Sequence, residues 1–383
     1  MQELREALRS EPGAAASPAG VELSVIVPTF NERENVGRLI SCLSSCLADV
    51  SWEVIFVDDD SPDGTASVIR EIARSDPHVR CLQRLGRRGL SSACIEGMLA
   101  SSAPYLAVMD ADFQHDEEML PRMLEALRGS EMDVVVGSRY AAGGGFGAWD
   151  RRRAAMSRLA MRLSRAVLPT DLTDPMSGFF MIRRDAFEET VRGLSGIGFK
   201  LLIDLFASAP RPLRYIELPY EFRTRRAGRS KLDTQAAWDY GMLLLDKLVG
   251  DIVPVRFIAF TLVGGLGVLV HLLILALLFN ALEISFVASQ AFATVAAMTS
   301  NFALNNALTF RDMRLTGLRW LRGWLSFMLA CSVGALANVG IASYLFGGMG
   351  AFWLTSALAG IAVGAVWNYA VTSFYTWNPS KAR

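Results

Sequence analysis

The hydrophobic pattern divides this chain into two regimes. In the first two-thirds, short apolar runs alternate with stretches whose apolar positions recur at helical spacing. The runs are Leu23–Pro28 (LSVIVP), Glu53–Val57 (EVIFV), Tyr105–Met109 (YLAVM) and Asp133–Val136, and helical patterns cover Glu32–Leu47 and Thr65–Arg74. Continuous apolar strands separated by helices predict a parallel sheet covered on both faces. From Phe257 the pattern changes, and four uncharged stretches follow one another: Phe257–Leu282, Ile284–Phe310, Gly323–Gly350 and Ala351–Asn378. Each exceeds the ~20 residues that a helix needs to cross a hydrocarbon core. The expected architecture is an α/β, Rossmann-like domain followed by an all-α domain of four transmembrane helices.

Charge gives these spans a direction. The chain balances 38 basic against 38 acidic residues, so it lacks the basic surplus of a nucleic-acid binder. Beyond Phe257 the basic residues are Arg311, Arg314, Arg319, Arg322, Lys381 and Arg383, against only Glu283 and Asp312. The arginines lie between the second and third stretches, and Lys381 and Arg383 follow the fourth. The other two connections carry no basic residue. By the positive-inside rule, both termini face the cytoplasm.

The apolar third also repeats at a constant offset of 67 residues. Phe260 matches Phe327, Gly267 matches Gly334 and His271 faces Asn338. Asn301-Phe302-Ala303-Leu304 matches Asn368-Tyr369-Ala370-Val371, and Thr309-Phe310 matches Thr376-Trp377. Each repeat holds two spans, so the halves share one topology about an axis along the membrane normal. Asn301, Asn305, Asn306 and Asn368 fall near the cytoplasmic ends of their spans. Their amides suit either interhelical hydrogen bonding or a polar lining that holds or passes a lipid phosphate. His271, near mid-membrane, reads as a packing residue or as a proton relay.

Elsewhere composition adds less. Residues 1–20 hold charges and an Ala/Pro/Ser run without an apolar core, which predicts a disordered tail and not a signal peptide. Five cysteines are scattered without metal-ligand spacing, and Cys42 and Cys46 share a helix face, as packing residues do. A reduced, cytosolic setting fits them. Arg151–Leu168 places six arginines among Met156, Leu159, Met161, Leu163 and Val167, the pattern of a basic amphipathic helix at an anionic lipid surface. Asp233–Val249, with Trp238, Tyr240 and Leu243–Leu245, reads as a second such helix leading into the first span. For both, an ordinary packed helix is the alternative.

Acidic residues collect just past the apolar runs, where open α/β sheets place their ligands. Asp58, Asp59 and Asp60 follow the second run, and Asp110 and Asp112 follow the third. Asp110 and Asp112 bracket one residue, and Gln114 adds a neutral oxygen. Hard oxygen ligands of this kind suit Mg²⁺ or Mn²⁺ whose shell is completed by substrate phosphates. A solvated acidic turn is the competing reading. No Walker loop is present, and Gly86–Gly89 (GRRG) is a weak glycine motif.

Taken in order, eight stretches resemble the glycosyltransferase family 2 enzymes of GT-A fold, and within them the dolichol-phosphate (polyprenol-phosphate) mannose synthases. They are VPTFNERENV from Val27, VDDDSPDGT from Val57, RRGLSSACIEG from Arg87, DADFQHDEE from Asp110, GSRY from Gly137, DPMSGFF from Asp174, GFK from Gly198 and RRAGRSKL from Arg225. The membrane third is similar to the GtrA-like four-helix proteins, with NFALN as its main local match. The organisation is then a tail over 1–20, a GT-A domain over 21–232 with an interfacial helix at 151–168, a second interfacial helix or linker over 233–252, and a GtrA-like domain over 253–383.

The resemblance implies roles residue by residue. Pro28, Glu32, Asp58 and Asp59 would hold the nucleotide. Asp110, Asp112 and Gln114 would bind Mg²⁺ or Mn²⁺ on the diphosphate. Arg139, Arg158, Arg225, Arg226, Ser230 and Lys231 would handle donor and acceptor phosphates, and Ser177 would line the sugar pocket. Asp112, Arg139, Arg158 and Arg225 would be the catalytic set. Two departures stand out: Asp60 replaces the family's usual Asn, and Asp116 a usual Pro.

The implied reaction is inverting transfer of mannose from GDP-mannose to a polyprenyl phosphate at the cytoplasmic face of the bilayer. An anionic phosphate attacks the anomeric carbon without a general base, so the lack of a Ser-His-Asp or Cys-His constellation is no objection. Ser61-Pro62, His115 and Ser138-Arg139-Tyr140 favour GDP-mannose over UDP-glucose, since glucosyltransferases of this kind more often carry DDGSxDGT and DADxQD. The alternatives are a UDP-glucose enzyme and a non-catalytic lipid-linked-sugar flippase or scaffold. Intact Asp110, Asp112, Gln114 and Arg139 argue against the latter.

Overall fold

The computed structural model describes residues 20–146, 160–165, 167–168, 170–196, 198–223, 234–250, 252–350 and 352–377. The expected tail, most of the helix expected over 151–168, and Arg158, Arg225, Arg226, Ser230 and Lys231 lie outside these residues. The chain forms two compact units, one up to Leu248 and one from Val249.

Among its described residues the first unit has nine strands: β1 Leu23–Thr29, β2 Trp52–Asp58, β3 Val79–Gln83, β4 Tyr105–Val108, β5 Val134–Ser138, β6 Gly145–Phe146, β7 Phe180–Arg183, β8 Tyr215–Pro219 and β9 Glu221–Phe222. Among them run helices α1 Arg33–Cys46, α2 Thr65–Ile72, α3 Leu90–Leu99, α4 Met119–Arg128, α5 Arg184–Thr190, α6 Leu201–Ser208 and α7 Thr234–Val249. Seven strands make one sheet in the order β3-β2-β1-β4-β7-β5-β8, and β6 pairs with β9 apart from it.

Alternation along each strand explains the layers. Val25, Val27, Val54 and Phe56 pack on one face with Leu39 and Leu43 of α1. Ile26, Ile55 and Val57 pack on the other with Ala93, Cys94 and Met98 of α3. Both faces are buried, so the strands read as unbroken apolar runs. Helix α3 lies so close to the sheet that a Cβ at Gly97 would stand 2.6 Å from Ile26 Cγ2. Cys42 and Cys46 are half-buried against the first core, and all five cysteines are free.

One expectation is corrected. The sheet is mixed, because β7 runs antiparallel to both of its neighbours, β4 and β5. A parallel neighbour requires a crossover to the opposite edge of the sheet, usually a helix. Here the excursion after β5 starts at the C-terminal edge, and Phe179 returns to that edge, where its carbonyl accepts from Gly137 N at 2.9 Å. The returning strand therefore runs backward. Helix α7 packs one face, with Tyr240, Leu243 and Leu244, on Ile203 of α6. Its Lys247 pairs with buried Asp204 at 2.6 Å. One face of the helix is thus packed on the α/β unit, with Leu248 exposed beyond it.

The second unit holds α8 Val255–Ala276, α9 Phe286–Leu304, α10 Gly317–Ser343 and α11 Trp353–Val371. Each continues into one wider π-turn, over Leu277–Ala281, Asn305–Thr309, Tyr344–Gly348 and Thr372–Thr376. The first and third of these turns stand 67 residues apart, as do the second and fourth, so the repeat extends to backbone geometry. Helices α8 and α9 pair, as do α10 and α11. Among the described residues three helices are long and apolar enough to cross a membrane: Val255–Ala281, Gly317–Gly348 and Leu358–Thr376. Helix α9 is more polar, with Ser289, Gln290, Thr294, Thr299 and Asn301. Helix α10 starts six residues before the expected Gly323, so Arg319 and Arg322 sit on its first turns and not in a loop.

The asparagines behave in two ways. Asn306 crosslinks chain segments: its Oδ1 accepts from Leu315 N and Trp377 Nε1 at 2.8 and 3.1 Å. Asn305 Nδ2 donates back to Asn301 O at 2.9 Å. By contrast, Asn301 and Asn368 press against Gly267 and Gly334, and their buried Oδ1 atoms find no hydrogen-bond partner among the described residues. His271 faces Gln290 Oε1 at 3.3 Å. Phe310 stacks on its repeat counterpart Trp377 at 4.2 Å, within a cluster that includes Phe260, Phe302 and Phe327.

Candidate active site

Functional side chains gather where the strands of the first unit end. After β1, Asn31 takes a left-handed conformation, and Glu32 N donates to Thr65 Oγ1 at 3.1 Å. Pro28 is half-buried in the strand before it. After β2, Asp58 is fully buried and accepts from Ser61 N and Ser61 Oγ at 2.9 and 2.6 Å. Asp63 caps the next helix through Thr65 N and Thr65 Oγ1. Burial works against its charge, but these bonds and one from Arg33 N hold its carboxyl below the ordinary value.

Asp59 links this edge to the segment before α3. Its Oδ2 accepts from Gly89 N at 2.7 Å, and its Oδ1 lies 3.4 Å from Arg84 Nε. Arg84 is itself buried and donates to Gly89 O and Ser92 Oγ. Burial raises the Asp59 pKa in spite of both contacts. Asp60 sits at φ +57° and accepts from Gly86 N and Gln83 Nε2, both at 3.3 Å. Asn and Asp are the residues that best tolerate this backbone, so this departure from the family pattern keeps the turn.

The loop after β4 carries the acid pair. Asp112 is buried, and its Oδ1 accepts from Gln114 N at 3.1 Å; the Asp110 side chain is 38% exposed. Behind them His115 is buried and stacked on Phe179, with ring centroids 5.1 Å apart. Asp110 N donates to His115 Nδ1 at 3.1 Å, which leaves the proton of the neutral ring on Nε2, 3.9 Å from Asp110 Oδ2. Burial lowers the His115 pKa, against the pull of Asp110 and Asp112, so the ring stays neutral.

Gln114 is fixed from across the chain. Its Nε2 donates to Arg223 O at 3.2 Å, and Arg223 N donates to Gln114 O at 3.0 Å. The Arg223 guanidinium holds Asp116 and Glu117 at 2.7 and 3.0 Å. Asp116, the second departure, thus anchors Arg223, just past β9. Two carboxylates and an amide on one loop supply oxygens of the type that Mg²⁺ or Mn²⁺ accepts when phosphates complete its shell. Among the described residues no three His, Cys, Asp or Glu side chains gather to enclose an ion by themselves.

The far wall follows β5. Arg139 gives Nε and one Nη to Asp174 Oδ2 and Oδ1, each at 2.7 Å, and both residues are buried. Glu217 holds Thr173 N and Asp174 N in turn. Ser177 Oγ donates to Gly137 O at 2.7 Å. These two expected substrate residues therefore also fasten the loop after β5. Lys200 Nζ donates to Met176 O at 2.9 Å on that same loop.

The chain matches the Glycosyl transferase family 2 model over residues 24–191 and the GtrA/DPMS transmembrane domain model over residues 259–377. A dolichol-phosphate mannosyltransferase of Pyrococcus furiosus is 34% identical over 361 residues, which is 93% of this chain and 99% of that protein. The chain belongs to the dolichol-phosphate mannosyltransferase family. A family member from Mycosarcoma maydis is 35% identical over 67% of this chain and 90% of its own. Among solved structures, glucosyl-3-phosphoglycerate synthase from Mycobacterium tuberculosis aligns with 62% of this chain and 85% of its own, at 20% identity and a TM-score of 0.44.

As a family 2 glycosyltransferase with a GtrA-like membrane domain, the protein has its acid pair, its Asp58/Asp59 turn and the Arg139 loop on one edge of one sheet. Pattern reading assigned no role to three residues that hold this edge, Arg84, Asp174 and Lys200, and took His115 only as a mark of the donor. Each lies in or beside a recognised motif, but the motif alone does not say which partner each one faces.

Proposed function

We propose that this glycosyltransferase moves mannose from GDP-mannose to a polyprenyl phosphate at the cytoplasmic face of a membrane, with inversion at the anomeric carbon. The observation that carries this reading is the buried-and-exposed pair Asp112 and Asp110 past β4, in a chain that spans 99% of a relative named for that activity. Asp58, Asp59, Pro28 and Glu32 line the edge where the nucleotide would bind, and Arg158, Arg225, Arg226, Ser230 and Lys231 would meet the phosphates.

The chemistry needs little from the protein beyond placement. A phosphate oxygen of the lipid forms the new bond to the anomeric carbon, and the bond from that carbon to the nucleotide diphosphate breaks. GDP leaves with the electron pair, and no proton moves. Mg²⁺ or Mn²⁺ at Asp110, Asp112 and Gln114 would neutralise the departing diphosphate. The residues around it exclude water and fix the two anions in line. Four spans with cytoplasmic termini accord with the arginines between the second and third helices.

The test supplies labelled GDP-mannose or UDP-glucose to membranes holding the protein, with and without Mn²⁺, and measures label in the lipid extract. Lipid mannose that depends on the metal is expected. Label from UDP-glucose alone would reassign the donor, and label from neither would sink the transferase reading.

A further inference from the structure

The two repeats of the helical unit differ where their helices cross. Between α8 and α9 lies a groove of about 410 Å³, lined in part by Gly264, Gly267, His271, Gln290, Thr294 and Asn301. A Cβ added at Gly264 would meet nothing within 4 Å, whereas its counterpart in the second repeat, Cys331, fills that position with a buried side chain. Ala297, which also lines the groove, stands where the second repeat has Gly364. At Gly364 a Cβ would lie 3.2 Å from Gly334 O, so α10 and α11 meet there backbone to backbone. The Ala297 methyl is thus a spacer that the second repeat lacks, and Gly264 leaves the room beside it unfilled.

Polarity separates the repeats at the same place. The wedge of Asn301 on Gly267 recurs as Asn368 on Gly334, so it is common to both. At the offset of 67, however, His271 becomes Asn338, Gln290 becomes Ala357 and Thr294 becomes Ile361. The first repeat alone carries the stripe Gln290, Thr294 and Asn301 down α9, a rise of about 16 Å. Among the described residues, the one hydrogen bond of the His271 and Gln290 side chains joins Nε2 to Oε1 at 3.3 Å. Thr294 Oγ1 donates back to Gln290 O at 2.8 Å. A ring nitrogen of His271, the Gln290 NH₂ and the buried Asn301 Oδ1 are then left to be met. Val268 and Leu272 on the rim are exposed, so the groove opens sideways, where a transmembrane domain meets lipid and not water. A histidine kept at such a place marks a site for something that enters it.

The chemistry of the lining selects the ligand. Among the described residues that line the groove there is no Arg, Lys, Asp or Glu, so a phosphate or an ammonium inside it would lie without a counter-charge. A bare alkyl chain would leave the polar stripe unmet. Hydroxyl groups both donate and accept, which matches a mixed set of amide, imidazole and hydroxyl partners. We propose that the α8–α9 groove is a binding site for the uncharged, hydroxyl-rich head of a lipid-borne sugar, which enters sideways from the bilayer. The site belongs to the helical unit and stands apart from the transfer reaction. The sugar is carried either by a lipid phosphate of the kind that reaction would make, with the phosphate outside the groove, or by a neutral glycolipid.

The full-length protein in phosphatidylcholine nanodiscs is photolysed with an alkyl mannoside that carries a diazirine at the start of its chain, and labelled peptides are mapped by mass spectrometry. Label is expected on residues 264–275 and 290–301. Octyl mannoside should compete for it, and octanol and octyl phosphate should not. The combined variant His271→Asn, Gln290→Ala, Thr294→Ile gives the first repeat the residues of the second. It should weaken labelling roughly 3–30-fold, the loss of one or two hydrogen bonds in hydrocarbon. Its Tm and its transfer to a short-chain polyprenyl phosphate should stay at the wild-type values. Competition by polyprenyl phosphate mannose at lower concentration than octyl mannoside assigns the site to the lipid phosphate sugar, and the reverse order assigns it to a neutral glycolipid. Equal labelling of wild type and variant would overturn the proposal, as would equal label on α10 and α11, or competition by octyl phosphate. If the variant fails to insert, the competition series on the wild-type protein decides on the same grounds. Protein that takes the mannoside label but transfers nothing would sink the transferase reading and leave the groove site standing.

Discussion

The two units of this protein differ in what their most conspicuous buried polar side chains do. In the α/β unit, each buried carboxylate at a loop is answered by a charge or by backbone N–H groups. Asp174 meets Arg139, Asp204 meets Lys247, Asp133 meets Arg211 and Arg214, and Asp58 meets Ser61. These contacts fasten the loops that carry the chemistry. In the helical unit, Asn301 and Asn368 instead wedge against Gly267 and Gly334, and their carbonyl oxygens find no hydrogen-bond donor among the described residues. Charged contacts fasten loops in the first unit; in the second, Asn306 fastens segments by hydrogen bonds while Asn301 and Asn368 serve as packing wedges, one in each repeat.

Substitutions can break this contrast. Asp112→Ala should reduce lipid glycosylation most, by roughly 10²–10³-fold or more, because the leaving diphosphate loses its electrostatic support. Circular dichroism should show the α/β unit still folded, and an active D112A would detach the acid pair from the reaction. Asp174→Ala leaves Arg139 buried without its carboxylate, and breaking such a pair costs about 3–5 kcal/mol. Denaturant unfolding should show that loss in the first transition; a smaller one would mean that Arg139 escapes to water.

The glycine wedges test the other side of the contrast. A Cβ at Gly267 or Gly334 would stand closer to the facing amide than real Cβ contacts allow. Gly267→Ala and Gly334→Ala should therefore each cost about 1–3 kcal/mol by overpacking. Thermal unfolding in detergent measures both, and unequal costs would show that the repeats do not carry equal load.

Acid should separate the units further. Burial opposes the charge on Asp133, but Arg211 and Arg214 outweigh it and hold its carboxyl well below the usual value of 3.8. Its folded pKa lies below the unfolded one, so its contribution is complete above about pH 4 and is lost as pH falls below that. Asp133→Asn should flatten the acid dependence of the first unit. The second has only Asp251, Glu283 and Asp312 and should respond little. Smallest of all should be Asp60→Asn, within about 0.5 kcal/mol, since both residues suit φ +57°. A larger shift in Tm would mean that the charge at Gly86 N matters.

Much of the fold was legible because it is local. Strand β1 and helix α1 begin and end within a residue or so of the pattern, since alternation and helical spacing are properties of a few consecutive side chains. The antiparallel β7 was not legible. Four residues, Phe180–Arg183, carry no mark of direction, and the path of the preceding forty residues sets it. Helix α10 shows a related limit: charge placed Arg319 and Arg322 between spans, while backbone hydrogen bonding continues through them.

The candidate site divides along the same line. By itself the sequence determined which residue types follow which strand, that Asp110 and Asp112 share a loop, that the last third is apolar, and that it repeats after 67 residues. Only the tertiary structure decided that Arg139 is paired with Asp174, that Gln114 is held by Arg223, and that Lys200 donates to Met176 O on the loop that carries Ser177. Those partners stand 35, 109 and 24 positions apart in the chain. Periodicity describes neighbours on one element, whereas a buried charge finds its partner wherever folding brings a complementary group, and that distance is set by the sheet order.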